Sequence, residues 1–238
     1  MKAEDYYVYQ STARGLHTEA DVERLVGTYA PIYDRVFPRF LPEDKGALIY
    51  EAACGNGIFL RWARSRGWTN LQGSDISARE LERASSAGFD VENTDSVEAL
   101  KARPENSVDA IVAIDFIEHV PRDLLLEFLF AACRALKPGG RLIMRGPNGG
   151  SPFCGNNLFN DITHVWASTP TALRSICTMA GFGQVDYLDD TRVSIQQRRW
   201  LKVPLMIIAQ GILKSLFRAA SHDDFRLIGA SYYACARK

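Results

Sequence analysis

The sequence predicts an α/β fold in which helices cover both faces of a mostly parallel sheet. From Ala47 onward, apolar segments of strand length alternate with segments of helical periodicity, as in consecutive βαβ units. Asp109–Asp115 is almost continuously apolar between two acids, which is typical of a central parallel strand. Leu48–Leu60 is an apolar strand that ends in a turn with two glycines and continues into a helix. Ligands of such sheets bind beyond the carboxyl ends of the strands, so we expect the functional site there.

Two short amphipathic helices are predicted before the first strand. Asp21–Ala30 begins with an acid and carries apolar residues at helical spacing, and Ile32–Phe40 ends before Pro42. This arm is rich in tyrosine, so it either packs on the core as a cover or acts as a lid over the ligand site.

The next segments predict three strands with their helices. Leu48–Ala52 is the first strand and Ile58–Arg66 its helix, followed by a second strand at Asn70–Asp75. Ser77–Glu80 has the spacing of a capping box that opens the next helix. Phe89–Asn93 is a short third strand.

The second half continues the same alternation. A helix after Pro121 buries one apolar stripe and stops at Lys137–Gly140, and Arg141–Met144 forms the fifth strand. Gly146–Ser168 lacks periodicity and predicts a long loop at the carboxyl end of the sheet, where long loops are often functional. Residues 169–180 are predicted to form a helix, which begins at Thr169-Pro170 and ends before Gly181.

The chain is long enough for one sizeable core. Val185–Leu188 and Ile228–Cys235 predict the last two strands, with an insertion of mixed helical character between them. With 238 residues and 47% hydrophobic content, we expect a single domain over residues 1–238. Its parts are a helical arm or lid (1–44), a ligand-binding core (45–189), an insertion (190–226) and the last strand (227–238).

Composition indicates which partners and which cellular compartment to expect. Lys+Arg and Asp+Glu both number 28, so no overall basic field favours nucleic acid. The cysteines are scattered and form no Cys-x-x-Cys pair, which predicts neither a disulfide framework nor a zinc site. The N-terminus shows no secretory signal, and Val203–Leu213 is shorter than the roughly 20 residues that cross a bilayer. We expect a cytoplasmic protein with at most a surface contact with the inner membrane.

Polar residues follow consecutive strands at one edge of the predicted sheet. Gly55 and Gly57 let a ligand approach the backbone closely where a helix begins. Asp75 ends the second strand, where its carboxylate can accept from both hydroxyls of a ribose. Asp95 can accept from an exocyclic amine and Ser96 can donate to a ring nitrogen, the pattern that adenine needs. Asp95 also has the position of a helix N-cap.

Four motifs follow one another along the predicted core: Glu51-Ala-Ala-Cys-Gly-Asn-Gly57, Gly73-Ser-Asp-Ile-Ser77, Asp115-Phe-Ile-Glu-His119, and Leu136-Lys-Pro-Gly-Gly-Arg141 with Pro147-Asn148. In order and spacing they resemble the class I S-adenosylmethionine-dependent methyltransferases, over roughly Ala47 to Leu188. The resemblance implies a Rossmann-like fold, with a seven-stranded, mostly parallel sheet whose last strand is antiparallel. It also implies S-adenosyl-L-methionine as the cofactor.

The resemblance further implies which residues form the cofactor site. Glu51 would lie near the methionine amino group, Asp75 would hold the ribose, and Asp95 with Ser96 would flank the adenine. Glu51 stands where aspartate is commoner and Ala53 where the first glycine is usual, and we expect the alanine to cost little. The implied cofactor-binding residues are Glu51, Ala53, Cys54, Gly55, Gly57, Asp75, Ile76, Asp95, Ser96, Ile114, Asp115 and Phe116.

A nicotinamide-dependent dehydrogenase is the main competitor among nucleotide-binding folds. Its fingerprint requires a third glycine three places after the second, and Leu60 occupies that place. A pyrophosphate needs this close approach, whereas S-adenosylmethionine has no phosphate. The dehydrogenase is therefore disfavoured.

A hydroxyl acceptor needs a base as well as a methyl donor. His119 follows the fourth strand and His164 lies in the long loop, so both can reach the pocket. We take His164 as the candidate base, oriented by Asp161; alternatively, it hydrogen-bonds loop backbone. His119 belongs to a Glu-His pair for which the resemblance implies a structural or cofactor-side role. No metal site is expected, because Asp161 is the only acid in the long loop.

The overall layout, including the tyrosine-rich arm, Asp161-Ile-Thr-His164 and Ala180-Gly-Phe182, resembles bacterial methyltransferases of cell-surface polysaccharide and lipopolysaccharide assembly. This implies O-methylation of a sugar hydroxyl on a polysaccharide or on a lipid-linked or nucleotide-linked saccharide. O-methyltransferases of quinones and small natural products share this core, so such an activity is the first alternative function. A cofactor-binding scaffold without catalysis is the second alternative. Gln197–Arg218, apolar with cationic flanks, is a lid, a dimer contact or a membrane-surface helix.

Overall fold

The computed structural model describes residue 9 and residues 12–13, 15–190, 203–221 and 227–238. Seven strands in this part form one sheet: β1 (Ile49–Ala52), β2 (Leu71–Asp75), β3 (Asp90–Asn93), β4 (Val108–Ile114), β5 (Leu136–Pro147), β6 (Val185–Asp189) and β7 (Ser231–Arg237). Their order is β3-β2-β1-β4-β5-β7-β6, and β7 is antiparallel to both of its neighbours. The other pairs are parallel, so the predicted sheet with an antiparallel last strand is confirmed.

The α-helices of the described part are α1 (Glu19–Val36), α2 (Ile58–Ser65), α3 (Ala78–Ser86), α4 (Ser96–Ala102), α5 (Arg122–Ala135), α6 (Cys154–Phe159), α7 (Pro170–Met179) and α8 (Val203–Ser221). Buried side chains of α1, α2 and α3 form one core layer, and those of α4, α5 and α7 form the other. Along β4, Ile111 and Ala113 face one layer while Ala110 and Val112 face the other. Both faces of the central strand are therefore buried, as its apolar sequence predicts.

The N-terminal arm contains one long helix where two short ones were predicted. α1 continues through Pro31, and a 3₁₀ turn at Phe37–Arg39 follows it. Proline removes one hydrogen-bond donor from the helix, but Tyr33 and Val36 beyond it are buried in the core. Packing therefore sustains the helix across the proline, and the predicted break is wrong.

The turn between β2 and α3 also differs from the prediction. Ser77 is the N-cap of α3, yet its side chain makes no cap hydrogen bond. Its backbone N–H donates instead to Asp75 Oδ1 at 2.8 Å. The predicted capping box at Ser77–Glu80 is therefore wrong, because a carboxylate from the preceding strand closes this turn.

The region after β4 is more ordered than its sequence predicts. β5 is twelve residues long, whereas Arg141–Met144 was predicted. The predicted loop 146–168 contains α6 and a parallel bridge between Asn148 and Ser168. The buried Asn148 amide donates to the carbonyls of Leu227 and Gly229 at 3.2 and 3.0 Å, which holds the start of this loop beside β7.

The predicted insertion lies partly outside the described residues, at 191–202 and 222–226, as do residues 1–8, 10, 11 and 14 of the predicted arm. Between the two insertion segments lies α8. No helix of the described part is long and apolar enough to cross a membrane.

Candidate active site

The carboxyl end of β1 forms a tight turn tied to two neighbouring elements. Ala53, Gly55 and Gly57 all have positive φ, at 55°, 48° and 73°. The Ala53 N–H donates to Ser96 Oγ at 3.0 Å, and the Gly55 N–H donates to Asp75 Oδ2 at 2.9 Å. The turn is therefore held by the end of β2 and the start of α4. We call this turn, residues 53–57, the cradle, since ligands of such sheets bind at this edge.

Cys54 supports this turn from below. A Cβ on Gly73 of β2 would lie 2.9 Å from its Sγ, so the thiol fills the space that the glycine leaves. Burial raises the pKa of this thiol far above its usual range. The side chain thus packs beneath the turn as a neutral group, and any cofactor contact of Cys54 falls to its backbone.

Glu51 places a carboxylate beside the turn with unmet hydrogen-bonding capacity. The residue is 5% exposed, and its Oε2 has no partner among the described residues. Burial raises the pKa of this carboxyl well above its usual range, and the charge of Asp75 adds to the effect. A buried acceptor without a partner is uncommon in folded proteins and suits a ligand that brings a donor, such as an ammonium group.

Asp75 accepts one backbone N–H at each carboxylate oxygen, from Gly55 and from Ser77. Burial raises the pKa of this carboxyl, while the hydrogen bonds from Ser77 and Gly55 act in the opposite direction. A carboxylate has about four acceptor positions, so two hydroxyl donors can still be accepted. The neighbouring Ile76 is 40% exposed and offers apolar surface next to this carboxylate.

Asp95 and Ser96 divide into two roles. Asp95 is the N-cap of α4, where Oδ1 accepts from the N–H groups of Val97 and Glu98 at 2.8 and 3.3 Å, as its position predicts. Ser96 is 3% exposed, and its hydroxyl contacts Ser74 Oγ at 2.9 Å as well as accepting from the β1 turn. It therefore positions the turn, and the predicted donation from Ser96 to an adenine nitrogen stays a prediction.

The end of β4 carries an ion pair next to the cradle. Asp115 has a φ of 49° and pairs with Arg145 of β5, which also binds Asp190 Oδ2 at 2.8 Å. Ile114 is half-buried, and Phe116 packs edge-on against Phe128 with ring centroids 5.1 Å apart. The implied contact of Ile114, Asp115 and Phe116 with the cofactor stays a prediction.

The long loop is seated on a 3₁₀ turn, Ile117–His119, that follows β4. The Val165 N–H donates to the Glu118 carbonyl at 2.9 Å, and Trp166 Nε1 donates to the Ile117 carbonyl at 2.8 Å. These bonds bring the rings of His119 and His164 to a centroid distance of 4.6 Å. The two histidines that the sequence singles out are therefore neighbours.

The hydrogen bonds around the two rings fix their tautomers. The Thr163 hydroxyl donates to Asp161 Oδ1 at 2.6 Å, so its oxygen accepts from His119 Nδ1 at 2.9 Å. His164 Nδ1 donates to the Leu158 carbonyl at 3.1 Å, since a carbonyl can only accept. In the neutral form, both imidazoles therefore carry their proton on Nδ1 and their lone pair on Nε2.

This arrangement corrects the predicted pairing of Asp161 with His164. The hydrogen bonds of Asp161 go to Thr163 and through it to His119, because the tight turn at 161–163 folds the carboxylate back onto the threonine. His164 instead bonds loop backbone, which was the alternative prediction.

Burial shifts the pKa of His119, Asp161 and Glu118, and hydrogen bonds oppose it at Asp161. It lowers the pKa of His119 to about 4, and the nearby His164 ring adds to the effect. Burial raises the pKa of the Asp161 carboxyl, but the Thr163 hydrogen bonds outweigh it and leave this pKa below its usual value. Glu118 is 2% exposed, and burial raises the pKa of its carboxyl well above the usual range.

A cleft of about 650 Å³ opens beside His164. Its charged and polar side chains are Arg122, Asp161 and His164. The apolar lining comprises Leu158, Phe159, Ile162, Val165 and Trp166. The cleft lies on the loop side of the histidine pair, where an acceptor molecule has room.

Sequence reasoning did not assign a role to Glu118, Thr163, Arg145 or Trp166. Glu118 lies in the motif 115–119 and Thr163 in the motif 161–164. Their roles depend on contacts with other elements, which the motifs do not indicate. The predicted absence of a metal site rested on a lack of acids in the loop. Glu118 lies in the 3₁₀ turn and comes close to the two histidines in space, which the sequence did not indicate. The predicted absence of a metal site stays a prediction.

Relatives in sequence place this chain among methyltransferases. Residues 23–187 match a family described as methyltransferase domain. The ubiquinone biosynthesis O-methyltransferases of Cupriavidus pinatubonensis and Ralstonia nicotianae are 32% and 33% identical, over 42% and 41% of this chain. The matched parts cover 41% and 42% of those proteins, so the chain spans about two fifths of the curated relatives' length.

Solved structures share the fold. A SAM-dependent methyltransferase from Archaeoglobus fulgidus matches with a TM-score of 0.69 and 21% identity, over 98% of this chain and 99% of that one. Phosphoethanolamine N-methyltransferase 2 of Haemonchus contortus, solved with S-adenosyl-L-methionine, matches with a TM-score of 0.60 and 18% identity, over 96% and 59%. With its family match, sheet order and glycine turn, the chain belongs to the methyltransferase-domain family, within the class I S-adenosylmethionine-dependent methyltransferases.

Proposed function

We propose that this protein methylates a hydroxyl group of an apolar, ring-bearing acceptor, with His164 as the base. The carrying observation is the histidine pair at the mouth of an apolar cleft. Its Nδ1 atoms are committed to hydrogen bonds, which leaves each Nε2 as the basic nitrogen.

The residues at the β1 edge fit S-adenosyl-L-methionine. Glu51 has a buried carboxylate oxygen without a partner among the described residues, which suits the methionine ammonium group. Asp75 retains acceptor capacity for the ribose hydroxyls, and the exposed Ile76 offers a surface for the adenine ring. When bound, the cofactor supplies a sulfonium methyl group, and displacement by a hydroxyl oxygen leaves the C–S electron pair on sulfur.

The chain's own part is to orient the acceptor and take its proton. His164 lines the cleft and accepts the hydroxyl proton at Nε2, while the Leu158 carbonyl stabilises the resulting imidazolium through Nδ1–H. Asp161 and Thr163 hold His119 against this ring, so they position it and do not act on the acceptor.

The cleft favours a phenol-type or quinol-type acceptor. Its walls offer one indole and several aliphatic or aromatic side chains, with three polar side chains at Arg122, Asp161 and His164, whereas a saccharide needs many hydrogen-bonding groups. By their names, the curated relatives act in ubiquinone biosynthesis, which supports the same class. A sugar hydroxyl, implied by the sequence layout, is the second candidate, because Arg122 suits the phosphate of a nucleotide-linked saccharide.

An acceptor with an apolar tail would fit a cytoplasmic enzyme that touches the inner membrane. α8 exposes large apolar side chains along its length: Leu205, Ile207, Ile208, Ile212 and Leu216. We assign this helix as the surface that would meet the lipid.

The test pairs cofactor binding with methyl transfer. Calorimetry measures the affinity for S-adenosyl-L-methionine, and mass spectrometry follows transfer to a catechol-bearing prenyl phenol and to a nucleotide-linked saccharide. We expect transfer to the phenol, and a His164→Gln variant that binds the cofactor normally but turns over about 100-fold to 10,000-fold more slowly. His17→Gln, at an exposed histidine of the arm, is the control and should keep full turnover.

Each result has a distinct reading. Transfer to the saccharide alone would replace the phenol as acceptor. Cofactor binding without transfer to either acceptor would favour a scaffold. Full turnover by His164→Gln would overturn the proposed base.

A further inference from the structure

We propose that Glu118, His119 and His164 bind one divalent transition-metal ion, best matched by Zn²⁺, on the acceptor side of the site. Each residue offers a ligand atom, and the three atoms lie within 4.8 Å of one another. Two imidazoles and one carboxylate are a ligand set that catalytic zinc sites use, with a further position open to solvent or substrate. The ion's role in catalysis rests on the proposed function, whereas its binding does not.

The first independent observation is the state of the Glu118 carboxylate. It is 2% exposed, and its Oε2 has no hydrogen-bond partner among the described residues. The oxygen lies against β5, since a Cβ on Gly146 would be 3.3 Å from it. A buried acceptor without a partner is costly, and a cation bound by the two histidines would satisfy it.

The second observation is how the two rings are held. His119 donates from Nδ1 to Thr163, which is backed by Asp161, and His164 donates from Nδ1 to the Leu158 carbonyl. Metal-binding histidines typically donate their other ring N–H to a carboxylate, a carbonyl or a water, because this fixes the tautomer and makes the ligating nitrogen more basic. Both rings therefore present Nε2 as the ligand atom.

The ligand set also selects the kind of ion. Mg²⁺ and Ca²⁺ prefer oxygen ligands, so two imidazoles disfavour them. Zn²⁺ accepts nitrogen and carboxylate oxygen in a four-coordinate site, and Co²⁺ reproduces this geometry with a visible spectrum. An ion bound at Nε2 of His164 would occupy the lone pair that serves as the base in the metal-free enzyme. It would instead polarise an acceptor hydroxyl in the adjoining cleft and lower the cost of losing its proton to solvent.

The cluster is assembled across the fold. Glu118 and His119 come from the 3₁₀ turn after β4, whereas His164 lies about 45 positions later in the loop. The hydrogen bond from the Val165 N–H to the Glu118 carbonyl fixes the two segments against each other. The site is therefore held before any ion binds, which limits the ordering that binding must cause.

The test is titration of the full chain after chelation. Calorimetry with Zn²⁺ and visible absorption with Co²⁺ should show one ion per chain, with the strong visible band of four- or five-coordinate Co²⁺. Glu118→Gln and His164→Ala should each weaken the ion's affinity by about 100-fold or more. Thr163→Val removes support for His119 without removing a ligand, and it should weaken affinity by about 10-fold to 100-fold. His17→Ala, at an exposed histidine, should change nothing.

Circular dichroism of every variant separates lost binding from lost folding, and the wild-type Co²⁺ spectrum tests the site without any variant. Absence of Zn²⁺ and Co²⁺ uptake by the wild type would overturn the proposal. Unchanged affinity in Glu118→Gln, or an equal loss in His17→Ala, would do the same. Uptake without S-adenosylmethionine binding would support this site while overturning the proposed function. Methyl transfer that survives complete chelation would overturn a catalytic role for the ion and leave the methyltransferase intact.

Discussion

Two single residues at strand ends have a strained backbone conformation. Ala53 and Asp115 lie in the left-handed region, with φ of 55° and 49°. For an alanine, this conformation costs about 1–2 kcal/mol more than a right-handed one, whereas glycine adopts it freely. The Ala53 N–H is bonded to Ser96, so the turn keeps this geometry despite the cost. The expectation that alanine costs little here therefore needs correction.

We predict that Ala53→Gly stabilises the protein. Relief of the left-handed strain should exceed the added entropy of the unfolded chain and raise the free energy of unfolding by about 0.5–1 kcal/mol. Urea denaturation of the isolated protein measures the change. The matched control is Ala63→Gly in the middle of α2, which should lower the free energy by about 1 kcal/mol or more. A similar loss in both variants would contradict the strain at Ala53.

The residues of the site could be predicted from their positions at strand ends, but their hydrogen-bond partners could not. Glu51, Asp75 and Asp95 could be placed at one edge because each lies in or just after the carboxyl end of a predicted strand. The bond from Ala53 to Ser96 joins residues 43 positions apart, and the bond from His119 to Thr163 joins residues 44 apart. No local pattern indicates such pairs. The sequence therefore could not show that Asp161 supports His119 through Thr163 and does not pair with His164.

At the scale of helices, a buried arginine fastens the N-terminal arm to the cradle. Arg61 of α2 is 5% exposed and binds Glu23 of α1 at 2.9 Å, and it also binds Glu19. It further donates to the carbonyl of Arg83 at 3.1 Å, and Arg83 donates to Asn56 Oδ1 in the glycine turn at 2.9 Å. The arm, α3 and the cradle thus share one hydrogen-bond network.

We predict that Arg61→Met loosens the arm and weakens the cradle. Methionine fills much of the space but makes none of these charged hydrogen bonds, so the free energy of unfolding should fall by about 2 kcal/mol. Urea denaturation gives this value, and calorimetry should show weaker S-adenosylmethionine binding. Arg24→Met is the control, because Arg24 is an exposed arginine that pairs with Asp21 of the same helix. It should cost less than about 1 kcal/mol. Equal effects of the two substitutions would refute the network.

Element types were predictable from periodicity, and element ends were not. The alternation of strands and helices gave the layers, because a buried parallel strand is apolar on both faces. The helix through Pro31 and the missing capping box at Ser77 depend on tertiary contacts, from the packing of Tyr33 and from the carboxylate of Asp75. These contacts override local signals that are each of the order of 1–3 kcal/mol.

At the scale of the whole molecule, β7 joins the two core layers. It lies between β5 and β6 in the sheet, and its first six residues are buried. Tyr232 and Ala234 belong to the layer of α4, α5 and α7, whereas Tyr233 and Cys235 belong to the layer of α1, α2 and α3. The antiparallel direction came from family resemblance alone, because an apolar run does not report which way its strand points.

A chain that ends at Ala230 should therefore fail to fold cooperatively. Loss of each buried tyrosine alone costs about 3–5 kcal/mol. The two tyrosines together approach the whole stability of a typical domain, about 5–15 kcal/mol, before the lost strand pairing on both sides of β7 is counted. Thermal unfolding followed by circular dichroism should show no sharp transition. Arg237→Ala is the control, since this exposed residue pairs with Asp186 at the end of the strand, and its loss should cost less than about 1 kcal/mol. A sharp transition in the shortened chain would mean that the remaining six strands hold both layers without β7.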